Sequence, residues 1–236
     1  MSIERVGSAP LTLISSMATR QLLARLAAAY AADTGREVAI ESVGGVEAAR
    51  RVSEGEAFDV VVLAGDALAR LAEAGQVDGG SRVAIARSGI AVAVRSGAPL
   101  PAIDSEAALR EAVMQARTIG YSTGPSGTHL EALFARWGVA DALAPRLVRA
   151  RPGVPVASLV AAGEVELGFQ QRSELLDQPG IAIVGALPDA AQAVTTFTGA
   201  IGARCARRDE AAAWLAFLAA PAAVDIKQSC GMDAAA

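Results

Sequence analysis

Short apolar runs alternate with longer amphipathic stretches through the opening part of the chain. Leu11–Ser15 is a strand-length apolar run, and from Ala18 to Thr34 the apolar positions Leu22, Leu23, Leu26 and Tyr30 recur at helical spacing, with Gly35 as the stop. Val38–Val43 alternates as a strand, Gly44-Gly45 opens a helix over Val46–Ser53, and Asp59 leads the apolar strand Val60–Leu63. A series in which each strand is followed by a helix predicts a mostly parallel, right-handed sheet. Its ligands bind beyond the carboxyl ends of the strands, where Ser15, Gly44 and Ala64 fall.

The rhythm then changes. Val83–Ala86 and Ile90–Arg95 are consecutive apolar segments with no helix between them, followed by the stiff turn Gly97-Ala98-Pro99-Leu100-Pro101. This break predicts a crossing into a second lobe. There the alternation resumes with a helix over Ser105–Gln115, a strand over Thr118–Tyr121, helices over Gly127–Trp137 and Val156–Ala162, and strands over Leu167–Gln170 and Ile181–Val184. A long strand, Val194–Ile201, and the Ala-rich helices Asp209–Ala219 and Pro221–Ser229 return to complete the first lobe. The expected fold is α/β: two Rossmann-like lobes joined by two crossing segments. Lobe I takes 1–86 plus 195–236, lobe II takes 87–194, and a hinged cleft lies between them.

A chain of 236 residues can build a small α/β core twice, and 53% hydrophobic with 19% charged residues fits well-buried cores. The net charge of −4 and 4% aromatics argue against nucleic-acid binding, which needs a concentrated basic face or stacking platforms. The apolar runs are strand-sized, Val60–Ala64 among the longest, so no membrane insertion is expected. The start MSIERVGSAPLTL lacks the layout of a secretory signal. The expectation is a cytoplasmic protein as the sequence stands, and a periplasmic one if an export signal was removed. Cys205 and Cys230 show neither CxxC nor metal spacing and read as packing thiols.

Two turns carry candidate chemistry. Ser15-Ser16-Met17-Ala18-Thr19 joins a strand to a helix, and Tyr121-Ser122-Thr123-Gly124-Pro125-Ser126-Gly127-Thr128-His129 does so again mid-chain. Exposed backbone N–H groups and the positive end of a helix dipole make such turns receptive to anions. In the second turn the Ser126 hydroxyl is expected to cap the helix while the N–H groups of Gly127, Thr128 and His129 point outward, with Gly127 admitting close backbone approach. Arg87, beside Ser88-Gly89, can fork onto a carboxylate, and Gln170-Gln171-Arg172 places two amides at a strand end. Gly44-Gly45 reads equally as a tight turn or a ligand nest. His129, the sole histidine, is placed on the first helical turn, where the dipole favours a neutral imidazole able to act as a base. Asp59 and Asp66 read as strand entry and helix capping. No Ser-His-Asp arrangement, phosphate loop, metal-spaced His pair or dinucleotide fingerprint is present, so no cofactor and no metal are expected.

The segments SSMATRQLLARLAAAYAADTG, ESVGGVEAARRV, FDVVVLAGDALARL, VAVRSGAP, YSTGPSGTHLEALFARWGV and VASLVAAGEVELGFQQRSEL together resemble the molybdate-binding-protein branch of the ABC-transporter solute-binding proteins. The resemblance implies the type II periplasmic-binding-protein fold closing on a small ligand, with an ABC permease as partner if the protein is exported. Molybdate binders present hydroxyls where this chain has Met17, Gly44 or Gly45, and Gln170, with Ser15 and Ser16 just before Met17. Tetrahedral oxyanions need many directed donors, so the departure favours a carboxylate. Two readings follow. One is a protein that binds a small anion between its lobes through Ser15, Ser16, Met17, Gly44, Gly45, Arg87, Ser126, Gly127, Thr128, Gln170 and Gln171. The other is a cytoplasmic isomerase of an unsaturated di- or tricarboxylate, performing an aconitate-isomerase-like allylic proton shift with His129 or a cleft carboxylate as base.

Overall fold

The computed structural model describes residues 9–151 and 153–235. The expectation about an export signal rests largely on residues 1–8, which lie outside the described residues. The chain divides into two compact units. Residues up to Ala86, Phe197–Ser229 and the last residues from Ala234 form the first, and Arg87–Thr196 with Cys230–Asp233 form the second.

In the first unit β1 (Leu11–Ser16), β2 (Val38–Val43) and β3 (Val60–Ala64) are linked by α1 (Arg20–Thr34) and α2 (Gly45–Ser53), and α3 (Gly65–Glu73) follows β3. β1 pairs in parallel with β2, Leu11 opposite Val38 through Ser16 opposite Val43, and in parallel with β3 on its other side. Helices cover both faces of such a sheet, which is why Leu13 and Ile14, neighbours pointing opposite ways, are both buried. Ile14, Val61, Leu63, Ala48, Val52, Leu68 and Leu71 share one core cluster. Tyr30 of α1 meets Trp214 and Phe217 edge-on, with ring centroids 5.0 Å apart in each pair. α1 ends at Gly35, whose φ of 70° is the left-handed stop the pattern predicts.

β4 is one continuous strand, Val83–Arg95, where the sequence predicts two apolar segments flanking a crossing. Arg87-Ser88-Gly89 therefore lies in extended backbone. The Gln192 side chain sustains it there: Ile90 N–H donates to Gln192 Oε1 at 2.8 Å, and Gln192 Nε2 donates to the Ile90 carbonyl at 3.0 Å. Beyond β4 come α4 (Glu106–Gln115), β5 (Ile119–Tyr121), α5 (Pro125–Arg136), α6 (Ala140–Leu143), β6 (Leu147–Arg149), α7 (Val156–Ala162), β7 (Leu167–Gln171), α8 (Arg172–Leu175) and β8 (Ile181–Ala186). β5 is parallel to β6 and β7, and β4 is antiparallel to β7 and β8. The core here gathers Ile90, Val92, Ile119, Leu130, Phe134 and Phe169.

β9 (Val194–Ile201) carries the chain back to the first unit, where it pairs antiparallel with β3 and is followed by α9 (Arg208–Ala219) and α10 (Val224–Ser229). Cys230–Asp233, grouped with lobe I on sequence grounds, lies instead with the second unit. Gly231 there packs so closely on Leu176 that a Cβ would stand 2.4 Å from its Cδ1, and the short β10 (Asp233–Ala234) pairs with β4. Thr195 and Thr196 also lie with the second unit. Among the described residues no helix is long and apolar enough to cross a membrane.

Candidate functional site

The carboxyl edge of the first unit is formed by the ends of β1, β2 and β3. α2 starts after Gly44 and α3 after Ala64 with no side-chain cap, and the Met17–Thr19 turn that leads into α1 also begins without one. The first intrahelical bond of α2 runs from Ala48 N–H to the Gly44 carbonyl at 2.8 Å, leaving the N–H groups of Gly45, Val46 and Glu47 without a helical acceptor. Ser16 stands against this helix start, since a Cβ on Gly45 would lie 3.5 Å from the Ser16 Cβ. The Ser16 hydroxyl is buried and has no hydrogen-bond partner among the described residues.

Ser15 behaves differently. Its hydroxyl lies 2.8 Å from that of Ser42 on the paired strand, so it ties β1 to β2. Met17 is partly buried at the head of the turn. Asp66 lies inside the first turn of α3 and acts on the dipole, not as the cap that the sequence predicts. Asp59 does serve strand entry: it accepts from the Thr12 N–H at 2.9 Å, the Thr12 hydroxyl at 3.1 Å and Arg207 at 2.6 Å. Burial raises its pKa, but the donors Thr12, Cys205 and Arg207 outweigh this and hold the carboxyl below its ordinary range.

In the second unit the parallel strands β5 and β7 end side by side, with Tyr121 opposite Phe169. The N-cap of α5 is Gly124, and Ser126 is the second helical residue, not the cap expected from sequence. The Ser126 hydroxyl is buried and meets the Ser122 hydroxyl at 3.0 Å. The N–H groups of Gly127 and Thr128 do not point outward: both donate to the Gly124 carbonyl, at 3.0 and 3.2 Å. Pro125 has no N–H, so Ser126 supplies the first turn's remaining donor. Gly127 is small for an internal reason, because a Cβ there would stand 1.8 Å from the Ser122 carbonyl oxygen. Thr128 is exposed.

His129 is the fifth residue of α5, past the first turn where it was expected. Its Nε2 lies 2.8 Å from the Ala191 carbonyl, an acceptor, so Nε2 carries the proton and the ring tethers the helix to the Asp189–Ala191 turn. Arg87 projects from β4 exposed, with no partner for its guanidinium among the described residues. Beside it Ser88 is buried, its hydroxyl 3.5 Å from that of Ser173.

The two glutamines at the end of β7 divide their duties. Gln170 is consumed internally: its Oε1 accepts from the Val156 N–H at 3.0 Å and its Nε2 donates to Glu174 at 2.9 Å. It is a brace whose oxygen and one N–H are engaged inside the protein, where the sequence offers it to a ligand. Gln171 is buried and spends one end on the Thr195 hydroxyl at 2.8 Å, while its Oε1 has no partner among the described residues. A hydroxyl can donate or accept, so the amide can turn over and present its NH₂ at the open end.

Glu174, in the segment QQRSEL, is not among the candidates that the sequence offers. It sits on the single turn α8 just past the strand end, and burial pushes its carboxyl up to about 7 against a smaller opposing pull from the Gln170 amide. A Glu amid Leu175, Leu176 and a strand end was the available signal. Among the described residues no group of three or more His, Cys, Asp or Glu is placed to hold a metal ion.

A family model described as bacterial extracellular solute-binding protein matches residues 11–233. Aconitate isomerase from a Pseudomonas species is 37% identical over 228 residues, covering 94% of this chain and 87% of that protein. Among solved structures, the periplasmic molybdate-binding protein of Azotobacter vinelandii superposes with a TM-score of 0.80 at 21% identity, covering 96% of this chain and 100% of that one. The sulfate-binding protein SubI of Mycobacterium tuberculosis does so at 0.76 and 17%, covering 95% and 86%. These likenesses establish the type II periplasmic-binding-protein fold anticipated from the sequence segments. With strand-end donors in both units and a family match across nearly all the described residues, the chain belongs to the bacterial extracellular solute-binding proteins.

Proposed function

We propose that this protein binds a small carboxylate-bearing anion through the carboxyl edges of its units. The first unit offers the Ser16 hydroxyl and the free N–H groups of α2. The second offers Arg87, Ser126 and Gln171. One observation carries the reading. Four buried side-chain polar atoms lack a partner among the described residues, and two of them, on Ser16 and Gln171, stand at strand ends where this fold class takes its ligands. The Ser16 hydroxyl, and the Gln171 NH₂ once the amide is turned over on Thr195, are donors whose burial without a partner is costly, and a bound anion supplies what is missing. Thermal shift and calorimetry with citrate, tricarballylate, cis- and trans-aconitate, molybdate and sulfate test it. Stabilisation by a carboxylate is the expected result, and stabilisation by molybdate or sulfate alone refutes the carboxylate choice.

The 37%-identical aconitate isomerase supports a second reading, in which the bound anion is an unsaturated tricarboxylate whose double bond is moved. Proton NMR of the protein with trans-aconitate in D₂O separates the two. Appearance of the cis isomer or loss of methylene proton signal favours the enzyme, and binding without either favours the receptor. A receptor delivers its anion to an ABC permease, whereas an isomerase needs none.

A further inference from the structure

We propose that Glu174 is the general acid–base of this protein: its carboxylate takes a proton from the methylene carbon of a bound unsaturated tricarboxylate and returns it to the far carbon of the double bond. The inference rests on the isomerase reading above.

Placement is the first support. Tyr121 ends β5 opposite Phe169, so Gln170 and Gln171 run past that strand end and Glu174 stands in the turn beyond, on the edge that carries Ser122 and Ser126. The second support is the brace. Gln170 is fixed by the Val156 N–H at 3.0 Å and holds one Glu174 oxygen at 2.9 Å, which orients the carboxyl while leaving its second oxygen without a partner among the described residues. Glu174 keeps partial solvent exposure, so that oxygen is within reach of a ligand.

The charged neighbours are Arg172 on the same short helix, Arg87 on β4, Asp177 just beyond α8 and Asp233 on β10, while α7 carries none. None of them governs the carboxyl. Burial pushes it up to about 7, and the Gln170 amide acts the other way. A group that must first accept and then return a proton works best with a pKa near the working pH.

The step balances without a co-reactant. A C–H bond breaks at the methylene carbon and an O–H bond forms on Glu174. The electron pair spreads through the double bond into the ligand carboxylate conjugated with it. Then the O–H bond breaks, a C–H bond forms at the former vinylic carbon, and the double bond has shifted with no net change in protons or electrons.

The test uses the full chain with trans-aconitate, followed by NMR in D₂O for turnover and by calorimetry for binding. The isosteric Glu174→Gln is expected to lose turnover at least about 100-fold while binding changes less than about threefold. Wild-type kcat/KM should rise with pH through about 7, and Gln170→Leu, which removes the downward pull, should move that limb to higher pH. Turnover by E174Q at the wild-type rate overturns the role of Glu174 and leaves the isomerase reading standing. Equal losses of binding and turnover make Glu174 a ligand holder and also overturn it. A wild-type protein that binds trans-aconitate without isomerisation or exchange removes the isomerase reading, and this inference with it.

Discussion

Gly127 packs directly on the backbone of Ser122, and a Cβ on the glycine would stand 1.8 Å from the serine carbonyl oxygen. The contact locks the loop after β5 onto the first turn of α5 and brings the Ser122 and Ser126 hydroxyls to 3.0 Å. Gly127→Ala is expected to destabilise the protein by more than about 3 kcal/mol, since backbone must move to admit the methyl group. Gly124→Ala serves as the control, because its nearest neighbour is the Ser122 Oγ at 3.7 Å and its φ of −85° suits any residue. Chemical denaturation of both variants checks the pair, and equal stabilities contradict the close packing.

Ser16→Ala separates stability from function. The hydroxyl has no partner among the described residues, so its removal should leave stability within about 0.5 kcal/mol of wild type or raise it slightly. If it donates to a bound anion, affinity falls about 10-fold or more, the worth of a hydrogen bond to a charged group. Calorimetry with citrate or trans-aconitate measures the loss, and unchanged affinity takes Ser16 out of the site.

Asp59 makes a pH prediction. Its carboxyl is held below the ordinary 3.8 because its donors outweigh the cost of burial. A lowered folded-state pKa gives stability that is complete above the unfolded value and disappears as the pH falls through the folded one. Asp59→Asn should therefore cost about 1–3 kcal/mol near pH 7, with the gap to wild type closing below about pH 4. Urea melts at several pH values test this, and a gap independent of pH speaks against it.

His129→Ala removes the 2.8 Å bond to Ala191 and the tether it makes. A stability loss of about 1 kcal/mol is expected, with anion affinity and any D₂O exchange rate essentially unchanged. A collapse of exchange in this variant, with E174Q unaffected, would return the base role to the histidine.

The alternation of elements was legible because periodicity is local. β1, β2 and α7 fall where their apolar spacing places them, and β9 spans the predicted Val194–Ile201. β6 is not legible in the sequence, because Leu147–Arg149 is short and incompletely buried, which leaves almost no pattern to read. β4 reads as two pieces because Ser88-Gly89 interrupts its apolar run, and the Gln192 amide that sustains the strand comes from far along the chain. Individual roles within the candidate site were harder to read. Gln170 and Gln171 are adjacent and alike in sequence, yet one is spent on Val156 and Glu174 while the other keeps an open end. Ser15 and Ser16 differ in the same way, because the strand register hands Ser42 to the first alone.

By itself the sequence determined the α/β character, the strand ends that carry small hydroxyl and amide residues, and the segments that place the chain in its family, since all of these are set by neighbours along the chain. Only the tertiary structure decided which polar groups are already satisfied and which are left open. Hydrogen-bond partners such as Val156 for Gln170, Ser42 for Ser15 and Ala191 for His129 are chosen by packing between distant segments. The upward push on Glu174 is tertiary for the same reason: a carboxyl resists ionising once folding has taken much of the water from around it.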